Sequence, residues 1–240
     1  RIQLKKKIPK MNEEDDDDEG GADVMISFEQ EITMVRLMED HFLPSQISIK
    51  AQIYPLKGSN DQDLEIAFQK VSFWLDNVVS RCIAFKRSNE AAQKMLISEG
   101  KNNSSNMLML TPEEPTDEMM AILFQAKMTA LSEHKIAFGS VEIKSNNWTG
   151  LRFTFLGDAS ESLPNMDEWV GSPNYFDEPW WNRDDASTLD VVIDSSTDTT
   201  TKPAWAYKLD FIANAIRPAH ETIARPIFKP KIIDGGKKDD

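Results

Sequence analysis

Glu142 and Lys144 stand two residues apart in the run VEIK. On a β-strand that spacing points both side chains to the same face. A carboxylate and an amine so placed can hold a divalent cation and stabilise charge developing on a phosphodiester, the chemistry of E-x-K strands in metal-dependent nucleases. Such a site also needs a carboxylate from earlier in the chain. Asp117 is a poor fit, because it falls at a helix start and not at a strand end. Alternating acid and base is equally the pattern of a solvated strand face. Glu142 and Lys144 are therefore weak catalytic candidates, and the reaction they would serve is metal-dependent nuclease or hydrolase chemistry.

The other chemically dense stretch is NYFDEPWWNRDD, from Asn174 to Asp185. It sets Tyr175, Phe176, Trp180 and Trp181 among Asp177, Glu178, Asp184 and Asp185. Between Asp158 and Asp194 ten carboxylates face a single base, Arg183, for a local charge of −9. A carboxylate pair for glycoside cleavage can be drawn from these residues, but nothing in their spacing selects one. No D-x-[DN]-x-[DN]-G run offers a calcium loop. Aromatics bury large areas with few torsions, so Trp180 and Trp181 can pin a long loop onto its own core. Trp, Tyr and Arg also anchor protein interfaces, which makes Tyr175, Phe176, Trp180, Trp181 and Arg183 the candidate partner-binding set.

Other chemistries find little support. His41, His134 and His220 are far apart, and His134 has an ordinary place at a helix C-terminus, where a cation complements the dipole. There is no G-x-x-x-x-G-K-[ST], no G-x-G-x-x-G and no G-x-S-x-G, so no common phosphate cradle or hydrolase elbow is present. The single cysteine, Cys82, excludes an intrachain disulfide and a Cys-based zinc site, and fits a reducing compartment. No cofactor and no metal site are expected.

The net charge of −13 disfavours direct binding to nucleic acid or anionic lipid by bulk electrostatics. No apolar run approaches the length of a membrane span, and no apolar core follows the basic RIQLKKKIPK as a secretory signal would require. The expected location is cytoplasmic, or within a particle assembled inside the cell.

These residues must be positioned by the elements around them. Residues 1–23 pair a basic block with an unbroken acidic run from Glu13 to Glu19, the composition of a disordered charged arm. Val24, Ile26 and Phe28 alternate, as do Ile32 and Met34, and Ile47 to Ile53 alternates clearly up to Pro55. Two strands follow, with the turn-like MEDHFLPSQ between them forming an antiparallel pair. Asn60 or Asp61 caps a helix whose stripe runs from Leu64 through Ala67, Phe68, Val71, Leu75, Val78 and Val79 to Cys82. RSNEAAQKMLISEG extends it or forms a second short helix.

MLMLT reads as a buried central strand. Thr111 or Thr116 then caps a helix with the stripe Met119, Ile122, Leu123, Ala126, Ala130 and Leu131, running to about His134. KIAFGSVEIK and LRFTFLG form a hairpin, with a phase slip at Gly139-Ser140 that marks a β-bulge. TLDVVID reads as a strand, and residues 204–217 fit strand or helix equally. A split arrangement of four strands and two helices suits residues 24–157.

The expected fold is α+β: a mixed or antiparallel sheet with two main helices packed on one face, a long irregular loop over 158–188, and extended termini. One domain spans 24–217, and 218–240 is an extended proline-containing tail. The functional expectation is a non-enzymatic protein–protein interaction or assembly subunit, binding protein partners or itself. By analogy, charged arms of this kind occur in subunits of large complexes such as virus particles. The alternatives are the nuclease or hydrolase above, and an acidic mimic of nucleic acid that inhibits a basic enzyme.

Overall fold

The computed structural model describes residues 26–56, 58–90, 108–171 and 177–190. The expected arm over 1–23, the tail over 218–240, most of the possible second helix and the ambiguous 204–217 lie outside these residues. Six strands form one mixed sheet: β1 (Ile26–Met38), β2 (His41–Pro55), β3 (Ile83–Lys86), β4 (Leu108–Thr111), β5 (Ile136–Ser145) and β6 (Phe153–Phe155), in the spatial order β4-β3-β1-β2-β5-β6. The pairs β1–β2, β2–β5 and β5–β6 are antiparallel, whereas β1–β3 and β3–β4 are parallel. Helices α1 (Asp61–Asn77) and α2 (Asp117–Leu131) cover one face, and two single turns, α3 (Ala159–Ser162) and α4 (Met166–Trp169), follow the last strand. The α+β expectation holds. The four-strand split arrangement does not, because two further strands extend the sheet on the β1 side.

The β1–β2 hairpin is tighter than its sequence suggests. Met38 pairs with His41, leaving only Glu39 and Asp40 to turn, with Glu39 at φ 46°. Residues 41–46, expected as a turn, are strand. Pro44 is tolerated there because its partner Val35 donates its N–H to Cys82 O, toward β3. Val35 and Pro44 thus form a non-hydrogen-bonded pair, and the missing proline N–H would have faced away from β1.

Along β1 and β2, Phe28, Ile32 and Met34 lie with Ile47, Ile49, Ala51 and Ile53 on the buried face, while Glu29, Glu31, Lys50 and Gln52 face solvent. This is the polarity expected of an antiparallel sheet covered on one side. The slip at Gly139 is a true bulge: Gln52 opposes Ser140, and Ile53 opposes Phe138. The Tyr54 ring occupies the space a Cβ at Gly139 would need.

Asn60 caps α1 through a full capping box with Asp63. The helix stops at Asn77, short of Cys82; a 3-10 turn, Val79–Arg81, leads directly into β3, which the sequence pattern did not separate from the helical stripe. Val79 and Cys82 are buried all the same, so a short buried strand and another helical turn left the same apolar trace.

Thr116 caps α2, and Glu133 and His134 end it in left-handed conformations. This helix is buried almost all round, including Met120, Phe124, Lys127 and Met128, which lie off the expected stripe. A helix of that kind needs cover on both sides. The sheet and α1 supply part of it, with Trp74 edge-on to Phe124 at 5.7 Å, and the segment around Trp180 supplies the rest.

One end of this core is tied by a buried ion pair. Arg36 Nη1 donates to Asp117 Oδ1 at 2.6 Å, and its remaining donors reach Ser45, Pro115 O and Asn147. Asp117 Oδ2 accepts from the Ser145 backbone and hydroxyl. With both charges so fully bonded, the pair joins β1, β2, α2 and β5 without an orphaned group.

Candidate functional site

Glu142 and Lys144 do share a strand face, and it is the open face of the sheet. Glu142 lies across from Lys50 and 3.6 Å from Arg152, and Lys50 in turn lies 3.2 Å from Glu29. The earlier carboxylate, Asp117, is bound to Arg36 and Ser145 on the opposite, buried face. The structure therefore does not bring these three groups together. His41, at the start of β2, and His134, in the turn after α2, are both exposed and lie on separate elements, and His220 lies outside the described residues. Among the described residues, no three His, Cys, Asp or Glu side chains gather closely enough to hold a metal ion. Among the same residues, no helix is long and apolar enough to cross a membrane.

The acidic aromatic segment is built onto the outer side of β4. Trp180 and Trp181 are 0% and 1% exposed. Their rings meet edge to face at 5.6 Å, and Trp181 meets Trp169 at 4.9 Å. Trp180 Nε1 donates to Leu110 O at 2.9 Å, and Leu110 N–H donates to Thr188 O at 3.0 Å. Thr188 Oγ1 donates to Leu108 O at 2.5 Å. The outer hydrogen-bonding groups of β4 are thus taken by the protein's own chain. This corrects the expectation that MLMLT is central: β4 is an edge strand by pairing, and it is buried because residues 180–190 lie over it.

Charged groups hold that cover. Asp190 Oδ2 accepts from Trp180 N–H at 2.7 Å and Trp169 Nε1 at 3.1 Å, while Oδ1 accepts from Arg183 at 2.5 Å. From α2, the fully buried Lys127 donates to Trp180 O at 2.8 Å and Arg183 O at 2.7 Å, and lies 3.6 Å from Asp185. Burial pulls the Lys127 ammonium down from 10.5 to about 7, although Asp185 opposes the shift. Burial alone would raise Asp185, but Lys127, Arg183 and the Ser187 hydrogen bonds outweigh it and hold that carboxyl below its ordinary value. A lysine so depressed resembles a Schiff-base nucleophile in energy alone. Here its donors are spent on two carbonyls, and no solvent reaches it, so the group clamps a loop.

Of the partner-binding candidates, then, Trp180 and Trp181 face their own core, and Arg183 bonds Glu178 O, Asp190 and Ser187. Tyr175 and Phe176 lie outside the described residues. The exposed groups of this segment are Asp177, Glu178, Asn182 and Asp184.

The opposite edge, β6, differs in every respect. Its three residues pair inward with β5, and no backbone hydrogen bond reaches its outer side among the described residues. Phe153 and Phe155 are only half-buried against the core. Leu151 and Leu156, at its two ends, are 65% and 75% exposed, the highest values among the described large apolar side chains, and Trp148 is 41% exposed in the adjoining turn. Sequence reasoning missed this edge, although LRFTFL carries its signal: a short run with leucines at both ends, broken off by Gly157-Asp158.

No protein-family model matches the chain, and no curated protein sequence matches it significantly.

Proposed function

We propose that the protein is a non-enzymatic interaction or assembly subunit that receives a protein strand on its β6 edge. The observation that carries this reading is the contrast in exposure at that edge: backbone without a strand partner among the described residues, flanked by Leu151 and Leu156. Exposed edges of antiparallel sheets recruit extended segments by main-chain hydrogen bonding, with side-chain contacts giving selectivity. The chemistry-bearing groups elsewhere support the same reading, since Glu142, Lys127, Asp185, Asp190 and Asp117 are all engaged with partners within the fold.

Sedimentation of the full chain across a range of concentrations, alone and with proteins co-purified from the native source, tests the proposal. Association that disappears in a Leu151→Asp/Leu156→Asp variant with unchanged circular dichroism is the expected result. A monomer at every concentration that binds no partner through this edge overturns it.

A further inference from the structure

The parallel strands β3 and β4 end side by side, at Lys86 and Thr111. In open sheets with parallel strands, ligands bind beyond the carboxyl ends of those strands. Here the ends open into a groove of about 740 Å³, a volume in the range of small-ligand pockets. Its walls are the turns after β3 and β4, the start of α2, and the single turns α3 and α4. Met119, Leu163 and Pro164 give it an apolar lining.

Arg87 is built into this groove. Its backbone N–H donates to Thr111 O at 2.9 Å, and its guanidinium lies over the Trp169 ring, 5.1 Å from the centroid. That platform is fixed, because Trp169 is buried and Asp190 holds its Nε1. The guanidinium itself makes no hydrogen bond and no ion pair with the described residues. Burial lowers its pKa from the ordinary value, opposed by the charge of Asp190, whose oxygens are bonded to Trp169, Trp180 and Arg183. A planar fork of donors, half-desolvated and backed by an indole, suits a carboxylate bound through both oxygens.

The rim of the groove has the opposite sign. Glu161 and Glu168 are exposed there, Glu168 spending one oxygen on the Asn165 N–H, and Glu113 is paired with Lys86. Such a rim repels a free inorganic anion but attracts an anion that arrives joined to cations.

We infer that this groove receives the C-terminal end of a basic peptide. The terminal carboxylate lies on Arg87, the last apolar side chain against Met119 and Leu163, and preceding lysine or arginine side chains on Glu161 and Glu168. The inference does not depend on the β6 edge. It gives the protein a second surface, with different chemistry.

Fluorescence anisotropy with the full-length protein and an N-terminally labelled Lys-Lys-Ala-Leu peptide tests this. Saturable binding is expected, weakened about tenfold or more when the peptide carboxylate is amidated. Arg87→Gln should weaken the free-acid peptide to the same extent and leave the amidated one as it was. The comparison of acid with amide is made on the unaltered protein, so it holds even if the variant fails to fold. Equal binding of the two forms means that the acidic rim gathers any basic peptide, and overturns Arg87 as the carboxylate receptor. Equally tight binding of Glu-Glu-Ala-Leu with a free carboxylate overturns the part given to Glu161 and Glu168. Binding of neither peptide overturns the site.

Discussion

The two edges of the sheet answer the same physical problem in opposite ways. An edge strand exposes a row of unpaired backbone groups and invites another chain. At β4 the protein spends Trp180, Trp181, Lys127, Arg183 and Asp190 to cover that row with its own residues. At β6 no described residue covers the row, and leucines lie at both ends. The acidic, aromatic segment, which is the most conspicuous stretch of the sequence, thus makes structure, and an inconspicuous six-residue run holds the two most exposed large apolar side chains among the described residues.

Removing the cover should have the largest effect. Trp180→Ala deletes a fully buried ring together with the bond to Leu110 O, and should cost about 3–5 kcal/mol by denaturant unfolding. Leu156→Ala, at the open edge, should change stability by less than about 0.5 kcal/mol. Comparable losses at the two edges would erase the distinction.

The next effect is a pH dependence carried by Lys127. Its pKa falls from 10.5 to about 7 on folding, so above pH 7 the unfolded chain holds a proton that the native chain has lost. Native stability from this group therefore rises with pH through the window from about 7 to 10.5. Compared with Lys127→Met, the wild type should gain about 2–3 kcal/mol between pH 7 and pH 9, read from urea midpoints at each pH. A flat difference would mean that the amine is not desolvated, and that the β4 cover is looser than its geometry implies.

Smaller in energy but sharper in meaning is the Leu151→Asp/Leu156→Asp variant. It should unfold within about 1 kcal/mol of the wild type while losing self-association or partner binding, as read by sedimentation. The least perturbing probe is Cys82, which donates to Val78 O from a fully buried site. Its alkylation should proceed only through unfolding, and so should accelerate in Trp180→Ala but not in the leucine variant.

Much of this architecture was legible beforehand, and the reasons differ by element. The β5–β6 hairpin was readable from its alternation, and the bulge in β5 against β2 from the phase slip across Gly139, the trace of an inserted residue. The Asn60 and Thr116 caps were readable because their side chains act on the next three residues. β3 was hidden because IAFK follows a helical stripe with no turn signal, and four buried residues have no period of their own. The edge position of β4 was hidden because its burial comes from Thr188 and Trp180, about seventy to eighty residues away along the chain. Of the site candidates, Glu142 and Lys144 were correctly placed on one strand face. Lys127, inside an apolar helix, was the overlooked sign that the far side of α2 is covered too.

Amide hydrogen exchange, read at both edges over a range of protein concentrations, tests the central contrast most directly. Leu110 N–H should be protected to the level of global unfolding at every concentration, because Thr188 O accepts it within the same chain. The outward amides among residues 152–156 should exchange freely in dilute monomer and become protected as a partner strand is added. Protection of both edges at extreme dilution, or free exchange of β6 even in the assembled state, would contradict the account.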